Sequence, residues 1–238
     1  EKSSFVVAGR GSYMHLFLKL ADEPNSVYFY DLNAKLNYKL NENNSLFVSG
    51  YYGYDYMNFN DALINDYSNT FLNLRWNHIF SDKLFSNASA IYSDYDYALK
   101  IKFAGLNATT EIKNYNFKYD LKHYMSSNFV LSYGINSIYY NFNPGTVTPF
   151  AGMTSVNPYQ IEKKYAWENA AYISAEHKFT DKLSMTYGLR YSNFLRLGKE
   201  LRNTYADNRP VVFNEQFQIY EEATPTGTIQ YDSNEKIA

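Results

Sequence analysis

The chain has 238 residues, with 22 Lys and Arg against 24 Asp and Glu, and no cysteine. The absence of cysteine excludes a disulfide framework or a thiolate metal site, and a net charge of -2 excludes the basic stripe that nucleic-acid binding requires. Mean hydropathy is -0.48 and no segment approaches the roughly 20 apolar residues of a membrane helix, but 26 Tyr and 17 Phe favour strands and the many Asn favour turns.

Glu1 opens directly into EKSSFVVAGR without a signal peptide, and the chain closes on SNEKIA, so both ends are expected to continue into a larger protein. Residues 3–10 read as a first strand. In VYFYDLNAKLNYKL, residues 27–40, Tyr28, Tyr30, Leu32, Ala34, Leu36, Tyr38 and Leu40 alternate with Asp31, Asn33, Lys35, Asn37 and Lys39. A period of two means a strand with one apolar and one polar face. Its apolar face has Tyr at both ends and aliphatics between, the pattern of a lipid-facing stripe bracketed by interfacial aromatics.

Residues 45–57 repeat the alternation less strictly, and 58–69 reads as a long connection. At 70–80 the apolar set is Leu72, Leu74, Trp76 and Phe80, opposed by Asn73, Arg75 and Asn77. Residues 84–97 are ambiguous, but aligning their turn with the others puts Leu84, Ala88, Ala90 and Tyr92 outward. After a second long connection at 97–112, residues 115–125 set Tyr115, Phe117, Tyr119, Leu121 and Met125 against Asn116, Lys118, Asp120 and Lys122. A looser strand covers 129–142, and a third long connection 143–165. Residues 167–179 oppose Trp167, Ala171, Ile173, Ala175 and Phe179 to Glu168, Ser174, Glu176 and Lys178. Residues 183–195 oppose Leu183, Met185, Tyr187, Leu189, Tyr191 and Leu195 to Ser184, Thr186, Gly188, Arg190 and Ser192. Everything after Leu197 reads as loop, with 211–220 a candidate hairpin arm.

One punctuation recurs: YKLNENNSLF at 38–47, HIFSDKLFS at 78–86, HYMSSNFVL at 123–131 and HKFTDKLSM at 177–185. Each is a tight turn (41–44, 81–83, 126–128, 180–182), and long connections lie between them. Short turns alternating with long loops are the pattern of outer-membrane barrels, with short periplasmic turns and long extracellular loops. A soluble sandwich also alternates, but its strands average about 5–6 residues. These runs span 11–14, and their polar faces carry mid-strand charge while their apolar faces carry none. His78, His123 and His177 share one position and point outward on strands two spacings, roughly 9–10 Å, apart. That is too far for one metal, so they read as interfacial girdle residues; His15 stands alone in SYMHLFLKL. No phosphate loop, nucleophile elbow or metal-spaced His pair is present. Catalytic residues, metal site and cofactor are therefore all expected to be absent. The sequons NNS, NAS and NAT carry no weight for a bacterial barrel.

EKSSFVVAGRGSYMHLFLKL, YFYDLNAKLNYKLNENNSLFVSGYYGYD, LNLRWNHIFSDKLFSNASAIYSDYDY and DNRPVVFNEQFQIYEEATPTGTIQY resemble TonB-dependent outer-membrane receptors of Bacteroidota, in the early barrel that follows the plug. The resemblance spans nearly the whole chain. It implies an all-β, antiparallel transmembrane β-barrel of about 22 strands, of which residues 1–238 supply about nine or ten. It also implies a plug domain and C-terminal strands outside this stretch, a TonB complex that drives transport, outer-membrane lipid around the wall, and a scarce nutrient as solute: a metal chelate, vitamin, glycan or peptide. A passive porin or fatty-acid channel, and a barrel enzyme of the omptin or phospholipase kind, are the alternatives; the enzyme would need an acid/His or Ser/His cluster that is not seen. Lumen-facing Asp31, Lys35, Arg75, Lys118, Asp120, Glu168, Glu176 and Arg190 are the candidate solute or plug contacts. Tyr54, Tyr56, Tyr95, Tyr97 and Phe150 read either as loop aromatics able to stack on a ligand or equally as the outer girdle.

Overall fold

The computed structural model describes residues 2–150 and 157–236. A strand β1 (Ser3–Gly11) leads through a short helix α1 (Met14–Leu20) into β2 (Ser26–Asn41), β3 (Asn44–Phe59), β4 (Leu63–Ser81), β5 (Leu84–Ile101), β6 (Leu106–Ser126) and β7 (Phe129–Pro149). A two-residue β8 (Tyr159–Gln160) precedes β9 (Lys164–Thr180) and β10 (Leu183–Thr204). A small hairpin, β11 (Val211–Asn214) and β12 (Ile219–Glu222), precedes β13 (Gly227–Lys236). The main sheet is an antiparallel meander in the order β1-β2-β3-β4-β5-β6-β7-β9-β10-β13, with β8 attached to β7.

All four tight turns form where the sequence places them, and by one mechanism. The residue that closes each descending strand turns its side-chain oxygen onto the backbone N–H two residues on. Asn41 Oδ1 accepts from Asn43 at 3.0 Å, and Ser81 Oγ from Lys83, Ser126 Oγ from Asn128 and Thr180 Oγ1 from Lys182, each at 3.3 Å. Asn, Ser and Thr make such turns because their short side chains mimic a backbone acceptor.

The recurring aromatic or His is explained by the stagger of the hairpins. The first residue paired on each ascending strand faces that position on the descending strand across the ladder: Ser3 faces Tyr38, Asn44 faces His78, Leu84 faces His123 and Phe129 faces His177. The next residue then donates its N–H to the preceding turn or strand end. Lys39 bonds Lys2 O at 2.7 Å, Ile79 bonds Asn43 O at 2.9 Å, Tyr124 bonds Lys83 O at 2.7 Å and Lys178 bonds Asn128 O at 2.8 Å. His78 is in register with Leu121, two residues short of His123, and His123 with Ala175, two short of His177. A step of two residues, about 6.8 Å, over two spacings, about 9.6 Å, tilts the strands by about 35°. Outer-membrane barrel strands tilt by roughly 35–45°.

The register carries the alternation across the whole wall. Leu32, Tyr52 and Thr70 share one face, as do Leu74, Ala90, Phe117 and Ser137, and Ile173 and Leu189. The outward assignment of Ala88, Ala90 and Tyr92 holds, since they oppose Trp76, Leu74 and Leu72. The apolar side chains on this face are exposed, Leu32 at 51% and Ile173 at 49%. The core of an ordinary globular sheet would bury them, whereas a membrane wall turns them to lipid.

Three sequence expectations are corrected. Residues 58–69 and 97–112 are not long loops: β3 and β4 meet in a tight turn after Phe59, and β5 and β6 meet across a single 3-10 turn, Lys102–Ala104, closed by Gly105 in the left-handed region at φ 63°. The polar residues there belong to strands that outgrow the bilayer. β6 and β7 are 21 residues each, about 58 Å of height at this tilt, against an apolar band of about 25 Å. The apolar face is therefore charged above the aromatic row, where Asp66, Asp94, Asp96, Lys100, Glu111 and Lys113 point outward. Likewise 143–165 is strand to Pro149 and again from Lys164, its middle, 151–156, lying outside the described residues. Finally, 211–220 does not join the wall; it forms the separate β11–β12 hairpin, and the tenth strand is β13. Helix α1 lies inside SYMHLFLKL, and its His15 ring meets Tyr28 edge-on at 5.5 Å.

Among the described residues β1 pairs with β2 and β13 with β10, so the sheet does not close on itself. Open edges in lipid would strand backbone N–H and C=O groups at several kcal/mol each.

Candidate functional site

The polar face collects the chemistry. All eight sequence candidates lie on it: Asp31, Lys35 and Arg75 in the first four strands, Lys118 and Asp120 on β6, and Glu168, Glu176 and Arg190 on β9 and β10. Most are engaged within the wall. Asp31, 8% exposed, accepts from Arg10 Nε at 2.5 Å. Lys118 Nζ lies 3.0 Å from Asp120, and Lys122 Nζ 3.8 Å from Glu176. Tyr140 donates its hydroxyl to Glu168 at 3.0 Å. Arg75 stacks its guanidinium over the Phe47 ring at 4.3 Å. Lys35 faces only Val6 and Ser49 across the ladder, and Arg190 faces Tyr172.

The most connected group is one the sequence only half disclosed. Tyr172, on β9, reaches across β7 to donate to Asp120 Oδ1 at 2.7 Å. It can do so because the residue beneath its ring is Gly134. A Cβ there would sit 2.5 Å from Tyr119 O, 2.9 Å from Asp120 Oδ1 and 2.9 Å from Tyr172 Cε1. Lys118, Asp120, Tyr172 and Arg190 thus form one patch over β6 to β10. The signal was available in the alternation, which puts Tyr172 on the same face as Glu168 and Glu176. What one strand's alternation does not contain is the glycine two strands away.

Around these charges lies a belt of amides. The side-chain oxygens of Asn37, Asn73, Asn77, Asn114, Asn116 and Asn136, all on the polar face, are buried and accept no hydrogen bond within the sheet. Buried polar atoms are ordinarily paired; these oxygens are already covered by their neighbours within the wall.

Of the aromatics read as loop or girdle, Tyr54 and Tyr56 take the girdle position and Tyr95 and Tyr97 the polar face. Tyr54 and Tyr56 sit on the apolar face, where Tyr56 stacks on Tyr28 at 4.9 Å and Tyr54 packs on Tyr30 at 5.4 Å. Tyr95 and Tyr97 are wall residues of β5 on the polar face, Tyr97 accepting from Asn65 at 2.8 Å. Phe150 follows β7, its N–H bonded to Gly105 O. The girdle histidines pack on rings: His78 on Phe80 at 4.4 Å and His177 on Phe179 at 3.9 Å. At this tilt consecutive histidines are about 12 Å apart. Among the described residues, Asp94, Asp96 and Glu111 converge closely enough to hold a cation, with Lys113 already bonded to Glu111 at 2.5 Å.

An open, tilted meander with a polar wall and a girdled apolar wall is matched by one family profile, described as "TonB dependent receptor-like, beta-barrel", over residues 18–238. The chain belongs to this family. The receptor barrel is an outer-membrane wall, and it crosses with strands; none of its described helices is long and apolar enough to span a membrane. Two solved structures resemble its fold. BauA, the ferric preacinetobactin receptor from Acinetobacter baumannii, gives a TM-score of 0.57 at 13% identity, covering 73% of this chain and 34% of its own. The copper transporter OprC gives 0.60 at 11% identity, covering 74% and 30%. The receptor barrel thus spans about a third of the length of each. No protein of curated function matches it significantly.

Proposed function

We propose that the parent protein is a TonB-dependent active transporter of the outer membrane of a Bacteroidota cell, importing a scarce nutrient through a plugged barrel. Residues 1–238 supply the barrel strands that follow the plug. The observation that carries this reading is the family match over residues 18–238 of an unclosed wall. The continuous polar face supports a plug: Asn37, Asn73, Asn116 and Asn136 share it with the charged candidates, as a wall turned to a polar body would. Asp31, Lys35, Arg75, Lys118, Asp120, Glu168, Glu176 and Arg190 then touch plug or solute, and the plug is released when the TonB complex pulls on it. The tips of β3–β4, β5–β6 and β7–β9, carried high above the membrane, meet the solute first, since binding residues concentrate on loops held by a rigid scaffold. A metal chelate, as suggested by the ferric and copper ligands in the names of BauA and OprC, heads the list; a vitamin, glycan or peptide follows.

Uptake by cells expressing the full-length protein is the test. Collapse of the proton-motive force abolishes uptake by a TonB-dependent transporter and leaves a porin unaffected. Full-rate uptake in de-energised cells would overturn the proposal and leave the fold standing.

A further inference from the structure

A helix exposed to water turns its polar side out; α1 turns out its apolar side. With 3.6 residues per turn, Leu16, Leu20, Tyr13, Phe17 and Met14 fall in that order around one arc of about 160°, and all five are exposed, Phe17 at 58% and Leu20 at 82%. The Tyr13 and Phe17 rings share the arc with centroids 5.9 Å apart. The opposite side, His15 and Leu18, is half-buried, and Lys19 borders the arc beside Leu16. Several large apolar side chains in one exposed patch mark a surface that something other than water covers.

The position of the helix identifies the cover. The Ser12 N–H bonds Phe29 O at 2.8 Å just before α1, and just after it Asn25 Oδ1 accepts from the Asn60 N–H of the β3–β4 turn at 3.0 Å. Between these anchors the His15 ring lies edge-on to Tyr28, which stacks on Tyr56. Both tyrosines face outward in the upper aromatic row, so α1 lies outside the lumen at the upper edge of the apolar band. The chain rejoins the wall at Ser26, two residues or about 6 Å along the membrane normal above Tyr28. β1 ends opposite Tyr30, and α1 packs on β2 beyond that end. The apolar arc is therefore continuous, through His15 and Tyr28, with the surface that lipid covers.

We propose that α1 is an interfacial anchor whose Met14, Phe17 and Leu20 insert among the acyl chains of the outer leaflet. The helix lies along the headgroup boundary, and the long stem of Lys19 carries its ammonium back to the headgroups. Amphipathic helices with Leu and aromatic residues on one face sink that face about 5–10 Å into this boundary. The anchor fastens the first hairpin at its outer end, where β2 has outgrown β1. The inference rests on the outer-membrane placement of the wall and not on the transport reading.

The test is spin-label accessibility in outer-membrane vesicles shed by cells expressing the full-length protein, with any cysteine outside residues 1–238 replaced by serine. Nitroxides are attached in turn at Phe17→Cys, Leu20→Cys, Glu23→Cys and Leu32→Cys, and their collisions with oxygen and with a water-soluble nickel chelate are measured. The labels at 17 and 20 should favour oxygen over nickel about fivefold more than the label at 23, and less than the mid-plane label at 32, as a face sunk about 5–10 Å requires. Phe17→Glu with Leu20→Glu should bring a label at Met14→Cys within reach of nickel and leave the label at 32 unchanged. Nickel access at 17 equal to that at 23 would put the helix in water and overturn the anchor. Shielding at 17 from both collision partners would put protein on the arc, a closing strand or a second chain, and overturn it equally. Nickel access at 32 as well would remove the lipid-facing wall itself, a failure distinct from that of the helix.

Discussion

Replacing Leu32 by arginine tests the assignment of faces and depth together. Leu32 is half exposed on the apolar face, opposite Gly9 and Tyr52. It lies four residues from Tyr28 and six from Tyr38 along β2. At 3.4 Å per residue and a tilt of about 35°, those separations become about 11 and 17 Å along the membrane normal. The two tyrosines bracket about 28 Å, close to the apolar band of about 25 Å, so residue 32 sits near mid-plane. Arginine there should cost about 2–4 kcal/mol. At Leu40, beyond Tyr38 on the same face, it should cost about 0–1 kcal/mol because the side chain reaches the interface. At Asn33, one residue away on the polar face, it should be near neutral. Reversible denaturant unfolding of the full-length protein in lipid vesicles, with each variant compared to wild type, measures all three. Equal costs at 32 and 33 would refute the register, since a slip of one residue exchanges the faces. Equal costs at 32 and 40 would refute the girdle.

Gly134→Ala should destabilise the wall by about 1–3 kcal/mol, as overpacking does, because the new methyl collides with Tyr119 O and Tyr172; unchanged unfolding would show the strands can part freely. Tyr172→Phe keeps the ring and removes the bond to Asp120, and should cost about 1–3 kcal/mol by the same assay. At the outer turns, Asp61 lies 2.6 Å from Lys102, and the hydrogen bond from Lys102, with a second from Asn58, holds its carboxyl below the usual range. A depressed folded pKa means the contact stabilises fully above the unfolded value of about 4 and is lost as pH falls through the lower folded value. Amide exchange at Ala62 and Lys102 should therefore rise below that pH in wild type, and Asp61→Asn should show no such step. Trp76→Phe and Trp167→Phe should each reduce quenching of the protein's fluorescence by brominated lipid, since both indoles are exposed on the apolar face; no reduction would place them in the lumen.

Local pattern was enough to disclose the class of wall, its tight turns and the side of the sheet each residue takes. These follow from the period of two, from Asn, Ser or Thr bonding the backbone two residues on, and from the need to keep charge out of hydrocarbon, all of which act within one strand or one turn. Asp31, Lys118 and Glu176 could be placed on the polar face for that reason. Strand length is not legible in the alternation for a related reason. Above the aromatic row, Asp66 and Asp94 break the apolar pattern as a loop would, but β4 and β5 continue because the backbone bonds of a ladder are made whether the side chains meet lipid or water. The partnerships across strands were decided by tertiary structure alone. The common stagger of the hairpins brings Tyr38, His78, His123 and His177 opposite the preceding turns, Gly134 clears the way from Tyr172 to Asp120, and Ala88 and Ala90 lie between the bulky rows of β4 and β6. Each depends on register between residues up to 52 positions apart, and register is settled by how whole hairpins slide against one another, which no single stretch of sequence contains.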